Sequence, residues 1–396
     1  MDTTFETSFT PATSLEVIAS LRSALSRVMR IENHTIHEPP VDLLEFTGKL
    51  TCPSDEAFDH IYQTFIAHGY TPMLTERDGK EIVVAKQGIV EATRSDTRIN
   101  ALLLIATIAS AVLAGTLFFA DTTVLGAQLL GGVEDTIQAI LIVLRTPALW
   151  EIGVPYALTL LTILGVHEMG HYVLAKLHKA DVTLPYFIPM PIGLGTMGAV
   201  IRLKSPIKNR RQLFDIGVAG PLAGLAVAIP FLIIGLSLSP VEFIGQPVPG
   251  AQEGNSILYA VLKFITKGQW LPGGGYDVVI NAIAFPAWFG LIVTMINLLP
   301  IGQLDGGHII YALFGRAQWK VAVVAAIILL GLGMYLAFTT GQFLNVWLLW
   351  AILVQVFGLR HPPPLDDLTP LDRKRKLIGW ATIVIFFLIF TPLPFS

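Results

Sequence analysis

The chain has 396 residues, of which 53% are hydrophobic and only 14% charged, with a formal net charge of −3. Soluble domains carry about 25% charged residues, so this composition, with a mean hydropathy of +0.64, excludes a string of soluble domains and describes a multi-pass membrane protein. The weakly acidic balance argues for no nucleic-acid partner, and the single cysteine, Cys52, excludes an intramolecular disulfide and a cysteine-based metal site.

The N-terminus is polar and has no basic stretch leading into an apolar core, so no secretory signal is expected. Residues 1–13 read as a disordered tail. Ser14 to Met29 has helical periodicity, with Leu15, Ile18, Leu21, Leu25 and Val28 on one side; tail and amphipathic helix together make up region 1–37. Pro39-Pro40 then breaks the chain. Leu43–Leu50 suits a strand, and Ser54 followed by Asp55 and Glu56 starts a helix that runs to about His68-Gly69. Thr71–Thr75 and Glu81–Ala85 flank Arg77-Asp78-Gly79-Lys80, a hairpin turn signal. The prediction is a small soluble β-α-β-β unit inside an α+β domain over 38–98. His34, His37, His60 and His68 lie in this region without ligand spacing.

From residue 99 onward the chain reads as a transmembrane domain, 99–396. Apolar runs at Ile99–Ala120, Trp150–Leu177, Ile216–Val241 and Val278–Leu299 are each long enough for one crossing. The uncharged stretch 321–359 is too long for one span and divides at Thr339-Thr340-Gly341-Gln342; a last span starts at Leu377. About seven spans are expected. Between the second and third, Pro185 to Gly198 is too rich in proline and glycine for a helix, and Met197–Lys204 alternates like a strand. The segment 183–204 is therefore expected to be an apolar β-hairpin dipping into the membrane, where protein or a water-filled cavity must shield its backbone. Fourteen lysines and arginines fall on the side reached by Lys176, Arg202, Arg316 and Arg373, and three (Arg145, Lys263 and Lys267) on the other. By the positive-inside rule the N-terminal domain and the end of the second span are cytoplasmic, and Ser396 is external.

The second span contains Val166-His167-Glu168-Met169-Gly170-His171. On a helix, positions i and i+4 share a face, so His167 and His171 can hold one metal ion, while Glu168 is placed to act as general base on a metal-bound water. Zinc is the expected ion for two imidazoles and a carboxylate. Ionisable side chains in an apolar run of membrane length are costly unless they serve a site. A catalytic zinc needs a third protein ligand, and the only comparable apolar stretch with a suitable group is Asn297-Leu298-Leu299-Pro300-Ile301-Gly302-Gln303-Leu304-Asp305-Gly306-Gly307-His308, on the same side of the membrane. Asp305 is either that ligand or the cap of the following helix. Asn297 is either a satisfied core amide or a donor to the substrate carbonyl.

These two motifs, His167-Glu168-Met169-Gly170-His171 and Asn297-x-x-Pro300-x-x-x-Leu304-Asp305-Gly306, resemble those of the site-2 protease family (M50-like) of intramembrane zinc metalloproteases. Gly217-Val218-Ala219-Gly220-Pro221-Leu222-Ala223-Gly224 is similar to the family's intervening glycine-rich motif. The resemblance is close over 148–315, the expected catalytic core. It points to the bacterial and chloroplast-type branch, since the loop 239–276 holds no PDZ-like insertion. It implies one zinc per chain on His167, His171 and Asp305, with Glu168 as base. It also implies a substrate that is the transmembrane helix of another membrane protein, cut within or near the bilayer. Two other classes are compatible with histidines in spans: a membrane metal transporter, and an inactive pseudoprotease that only binds. The intact Glu168 and the lack of further metal positions along a path speak against both. Oligomeric state is not readable from the sequence.

Overall fold

In the computed structural model, residues 15–37, 43–89, 96–245, 253–341 and 345–394 are described, with 37 and 355–357 described through their backbone only. The expected tail over 1–13, the Pro39-Pro40 break and the terminal Ser396 lie outside them. The chain divides into two units: Met1–Thr93 with Lys204–Phe214 and Pro362–Arg375, and the remainder.

The first unit runs α1 (Leu15–Ser26), β1 (Met29–His37), β2 (Leu43–Leu50), α2 (Ser54–Ala67), β3 (Tyr70–Arg77) and β4 (Lys80–Gln87). The strands form an antiparallel sheet in the order β1-β2-β4-β3. Leu21 and Leu25 of α1, Phe58, Ile61 and Phe65 of α2, and Phe46, Leu74 and Val83 of the sheet share one buried core. The β-α-β-β pattern is present, but β1 is an additional strand, and the amphipathic helix before it belongs to the same core.

Two distant segments extend the sheet beyond β3. Leu74 N–H donates to Leu365 O and Asp367 N–H to Leu74 O; Leu365 and Asp366 in turn donate to Ile207 O and Lys208 O. The exposed edge of β3 is thereby paired rather than left as a template for another chain. Salt bridges reinforce the attachment: Arg211 to Asp55 (3.0 Å), Arg210 to Asp367 (2.9 Å), and Lys208 to Asp59. Asp366 is fully buried. Its carboxylate accepts the N–H groups of Leu368 and Thr369 and the Thr369 hydroxyl.

The second unit contains α3 (Thr97–Phe119), the short α4 (Val124–Leu130) and α5 (Thr136–Arg145), α6 (Trp150–Leu177), β5 (Tyr186–Pro189), β6 (Thr196–Val200) and most of α7 (Arg210–Leu238). After them come β7 (Val241–Phe243), α8 (Ile257–Lys267), β8 (Tyr276–Val278), α9 (Ala284–Asn297), α10 (Asp305–Phe314), α11 (Gln318–Thr340), α12 (Val346–Phe357) and α13 (Arg373–Ile389). Among the described residues, four helical stretches are long and apolar enough to cross a membrane: Thr97–Thr122, Pro147–Leu177, Arg210–Leu238 and Asp305–Thr340. The chain is thus a mostly helical membrane protein with small sheets. The apolar run Val278–Leu299 yields a shorter helix than its length suggests. Residues 276–278 pair with β7, and the Asn281 side chain caps the helix start by accepting from Ile283 and Ala284.

β5 and β6 form the expected hairpin, prolonged by a bridge between Val182 and Leu203. α3 holds it from behind. Asn100 donates to the carbonyls of Leu184 and Pro185, and Ser110 to that of Gly195. From α6 the Tyr156 hydroxyl donates to Leu194 O. In the connection between α7 and α9, Lys263 is completely buried and paired with Glu253 (3.1 Å) and Asp277 (2.9 Å). It is an internal ion pair rather than a loop charge.

The sheet extension predicts a measurable dependence on Asp366. Truncation to Ala strands two backbone donors and a hydroxyl, and lowers stability by about 1–3 kcal/mol, whereas Asp366→Asn keeps an acceptor for the N–H groups and is nearly neutral. Burial, opposed by these hydrogen bonds, holds the Asp366 carboxyl above the usual aspartate value. The folded form therefore binds this proton more tightly than the unfolded chain. The contribution to stability is full at low pH and declines as pH rises from the unfolded to the raised folded pKa. Thermal unfolding of detergent-purified protein across this range checks both points; Asp366→Asn flattens the decline.

Candidate metal centre

Three helices supply the site. α6 carries His167, Glu168 and His171, all buried in the middle of an apolar helix at 3%, 8% and 6% exposure. α10 begins with Asp305, and the polypeptide leaving α9 carries Asn297 at that helix's last position. α7 lies against both histidines of α6.

Asp305 does not cap α10: Leu304 occupies the cap position and no side-chain cap bond is made. Its carboxylate points at the two imidazoles. Asp305 Oδ2 is 3.3 Å from His167 Nε2 and 3.3 Å from His171 Nε2, and the two Nε2 atoms are 3.2 Å apart. The position at the helix start also favours the negative charge. Among the described residues this is the one group of three such side chains with ligand atoms close enough to share an ion.

The donor set fits zinc on chemistry and on spacing. A tetrahedral zinc with bonds of 2.0–2.1 Å has ligand–ligand edges of about 3.3–3.4 Å, and the triangle here has edges of 3.2–3.3 Å. The outer nitrogen of His171 is fixed as well: Nδ1 donates to Ile216 O on α7, 2.7 Å away. Such a partner sets the tautomer and leaves Nε2 free to ligate.

The glycine-rich stretch of α7 turns out to be a seat for imidazole rings. A Cβ on Gly220 would lie 2.0 Å from His171 Nε2, one on Gly224 3.2 Å from His167 Nδ1, and one on Gly217 2.7 Å from His308 Cβ. Small residues permit close helix approach in membranes; here what approaches is the histidine side chains themselves. Pro221 has no N–H to give Gly217 O, which loosens the helix beside the site.

Asn297 reaches the site too, with its Nδ2 3.2 Å from His167 Nε2. It lies at the rim of the ligand triangle. The backbone N–H of Ile201, just past β6, bears on the Glu168 carboxylate. All five residues singled out in the sequence therefore converge. His308 does not join the triangle: its Nδ1 is 2.6 Å from His361 Nε2. His361 carries no motif and could not be found from sequence. The His178–Asp215 contact at 2.8 Å, which joins the end of α6 to α7, was also missed.

The geometry defines a class: a helical membrane protein with a buried His-His-carboxylate centre and an adjacent glutamate. Residues 155–338 match the model of Peptidase family M50. That stretch is similar to a peptidase M50, or site-2 protease, domain. It is homologous to proteins described as probable zinc metalloproteases of chloroplasts. It is 32% identical over 246 residues to EGY2 of Arabidopsis thaliana, covering 62% of this chain and 42% of that protein. To EGY1 of the same plant it is 32% identical over 241 residues, covering 59% and 42%. To EGY3 of Oryza sativa subsp. indica it is 31% identical over 244 residues, covering 59% and 41%. The chain spans about two fifths of the length of these curated relatives. No solved structure matches.

The seating of the rings is testable. Gly220→Ala places a methyl where His171 Nε2 stands, and lowers zinc affinity at least tenfold. Gly331→Ala in α11, where a Cβ meets open space, leaves it unchanged and slightly favours the helix. Metal content by mass spectrometry and competitive chelator titration distinguish the two variants.

Proposed function

We propose that the protein is a zinc-dependent intramembrane endopeptidase that hydrolyses a peptide bond within or near a transmembrane helix of another membrane protein. The observation that carries this reading is the triangle of two imidazole nitrogens and a carboxylate oxygen inside apolar helices, with Glu168 beside it. One zinc per chain is held by His167, His171 and Asp305. A zinc ion there supplies Lewis acidity, polarising a carbonyl and making water acidic enough to attack near neutral pH. Glu168 accepts a proton from the attacking water and returns it to the amine nitrogen as the C–N bond breaks. Asn297 donates from Nδ2 to the carbonyl oxygen as charge develops on it.

A helical substrate must unwind before its carbonyl can be reached. The β5–β6 hairpin offers a place to hold the unwound strand by edge addition. Arg202 turns its backbone toward Thr183 of the other arm, so by strand alternation Val200 faces β5, and Ala199 and Ile201 face the open edge. Recognition through main-chain bonds makes side-chain specificity loose, and helix-breaking residues near the cut speed cleavage.

The reading places the hairpin at membrane depth and takes α9, α12 and α13 as further crossings, for about seven spans. The N-terminal α+β domain (38–98) and the active-site end of α6 are cytoplasmic. The partners are lipid and the substrate helix, with no nucleic acid among them. A metal transporter needs additional ligand clusters along a path and has no use for Glu168, and a binding-only pseudoprotease has no use for it either.

Glu168→Gln is expected to lower cleavage of a membrane substrate by more than a hundredfold while the protein retains its zinc. His167→Ala and Asp305→Ala lose both. Membrane-fragment proteomics with metal analysis reads this out, and full turnover by Glu168→Gln sinks the protease reading. For sidedness, tags at the N-terminus and Asp372 report the cytoplasm and a tag at Gln252, which lies outside the described residues, reports the opposite face. A cytoplasmic signal from position 252 breaks the span assignment.

A further inference from the structure

Asp305 is the only proposed ligand not carried by α6, so the site depends on how the first turn of α10 is rotated. That turn is wedged on one side. A Cβ on Gly306 would lie 2.0 Å from Leu298 O, and one on Gly307 2.3 Å from Gly302 O, so the preceding loop presses against it at backbone contact. On the other side stands His308, one turn after Asp305 and on the same face. Its Cβ meets α7 at Gly217, and its ring is hydrogen-bonded to His361 at 2.6 Å.

His361 is 53 residues away in the chain and is itself anchored. It is 9% exposed. Its backbone N–H donates to Gln318 Oε1 at 3.2 Å, and the Gln318 amide donates on to Pro300 O and Leu359 O. Its ring lies 4.8 Å from that of Tyr311, further along α10. The His308–His361 bond is thus the tie between the ligand-bearing turn and a fixed buried network. A ligand carboxylate must be held to within about 0.5 Å and 10–20°, and this bond acts on the turn that carries it.

We propose that His361 is a positioning residue of the metal centre: through His308 it fixes the rotation of the first turn of α10, and so holds the Asp305 carboxylate against His167 and His171. The proposal rests on the reading of these three as zinc ligands. Outer partners of this kind are typically worth 10–100-fold in metal affinity. Hydrogen bonding, not ring shape, is the property required. Gln can give or accept the same bond at similar reach, whereas Phe keeps the ring and its contact with Tyr311 but loses the bond.

The test uses the full-length protein in detergent, zinc affinity by chelator competition, and the visible d–d spectrum of the cobalt(II)-substituted form. His361→Phe is expected to lose 10–100-fold in zinc affinity and to shift the cobalt bands, while His361→Gln stays within threefold of wild type with an unshifted spectrum. A folded His361→Phe protein with wild-type affinity and spectrum overturns the proposal, as does a His361→Gln variant as impaired as Phe. If His361→Phe does not accumulate folded, Gln318→Leu measured against Gln318→Glu decides, since both lose the donors to Pro300 O and Leu359 O and only Leu loses the acceptor of the His361 N–H. A zinc affinity weaker in Gln318→Leu than in Gln318→Glu supports the tie, and an equal one overturns it. Zinc retained in His167→Ala is a different failure, that of the ligand assignment, and is read in the same titration.

Discussion

The structure depends on the expense of keeping ionisable groups among apolar helices. A single charged side chain at the centre of a membrane helix carries a penalty of roughly 2.5–3.5 kcal/mol, and this protein places two histidines and a glutamate within five residues of one such helix, opposite an aspartate. Their mutual geometry offsets that penalty: each group has a partner, and the carboxylate faces both imidazoles at 3.3 Å. The bare face of α7 follows from the same demand. Rings as large as imidazole fit between two packed helices only where the facing helix has no side chain, so Gly217, Gly220 and Gly224 occur at the spacing of the rings they receive.

The hairpin obeys a related rule. Extended backbone at an apolar location needs its donors and acceptors accounted for. Asn100, Ser110 and Tyr156 supply polar side chains from two neighbouring helices to its carbonyls. Polar residues in those helices, which hydropathy alone marks as weak points, are the supports of the strand pair. α6 contributes both to the candidate metal centre, through His167 and His171, and to the support of the hairpin, through Tyr156.

How much was legible in the sequence follows from range. The H-E-x-x-H spacing is a property of one helical turn and was readable outright. Asp305 was found by asking which other apolar stretch held a carboxylate, although its competing role as a helix cap could be dismissed only once Leu304 was seen in that position. β2, α2, β3 and β4 have clear alternation or capping signals, whereas β1 has Glu32, Asn33 and His34 exposed in succession and shows no buried periodicity. Hydropathy measured where the chain is apolar but not where helices begin, so the α9 run was overestimated at its start by the residues from Val278, which ends β8, to the Asn281 cap. Lys263 looked like a loop cation because its two carboxylate partners are ten residues before and fourteen after it. The His308–His361 contact leaves no local trace at all.

The extension of the N-terminal sheet has a consequence for how the chain assembles. Strands β1 to β4 are complete by Gln87, but the edge of β3 is covered only when residues 365–367 pair onto it, with 207–209 pairing onto those in turn. These partners lie far along the sequence, before and after the stretch from α7 to α12. Contacts of such separation form late, so β3 stays an open edge while the helical unit is being made, and such an edge is a template for pairing with other chains. The residues that would seat the late strands are charged: Asp55, Asp59, Arg210, Arg211 and Asp367. Charges discourage edge pairing with foreign chains and steer the correct partner by complementarity. Because residues 207–209 run directly into α7, completion of the sheet is linked by chain continuity to the helix whose glycines receive the rings of His167 and His171.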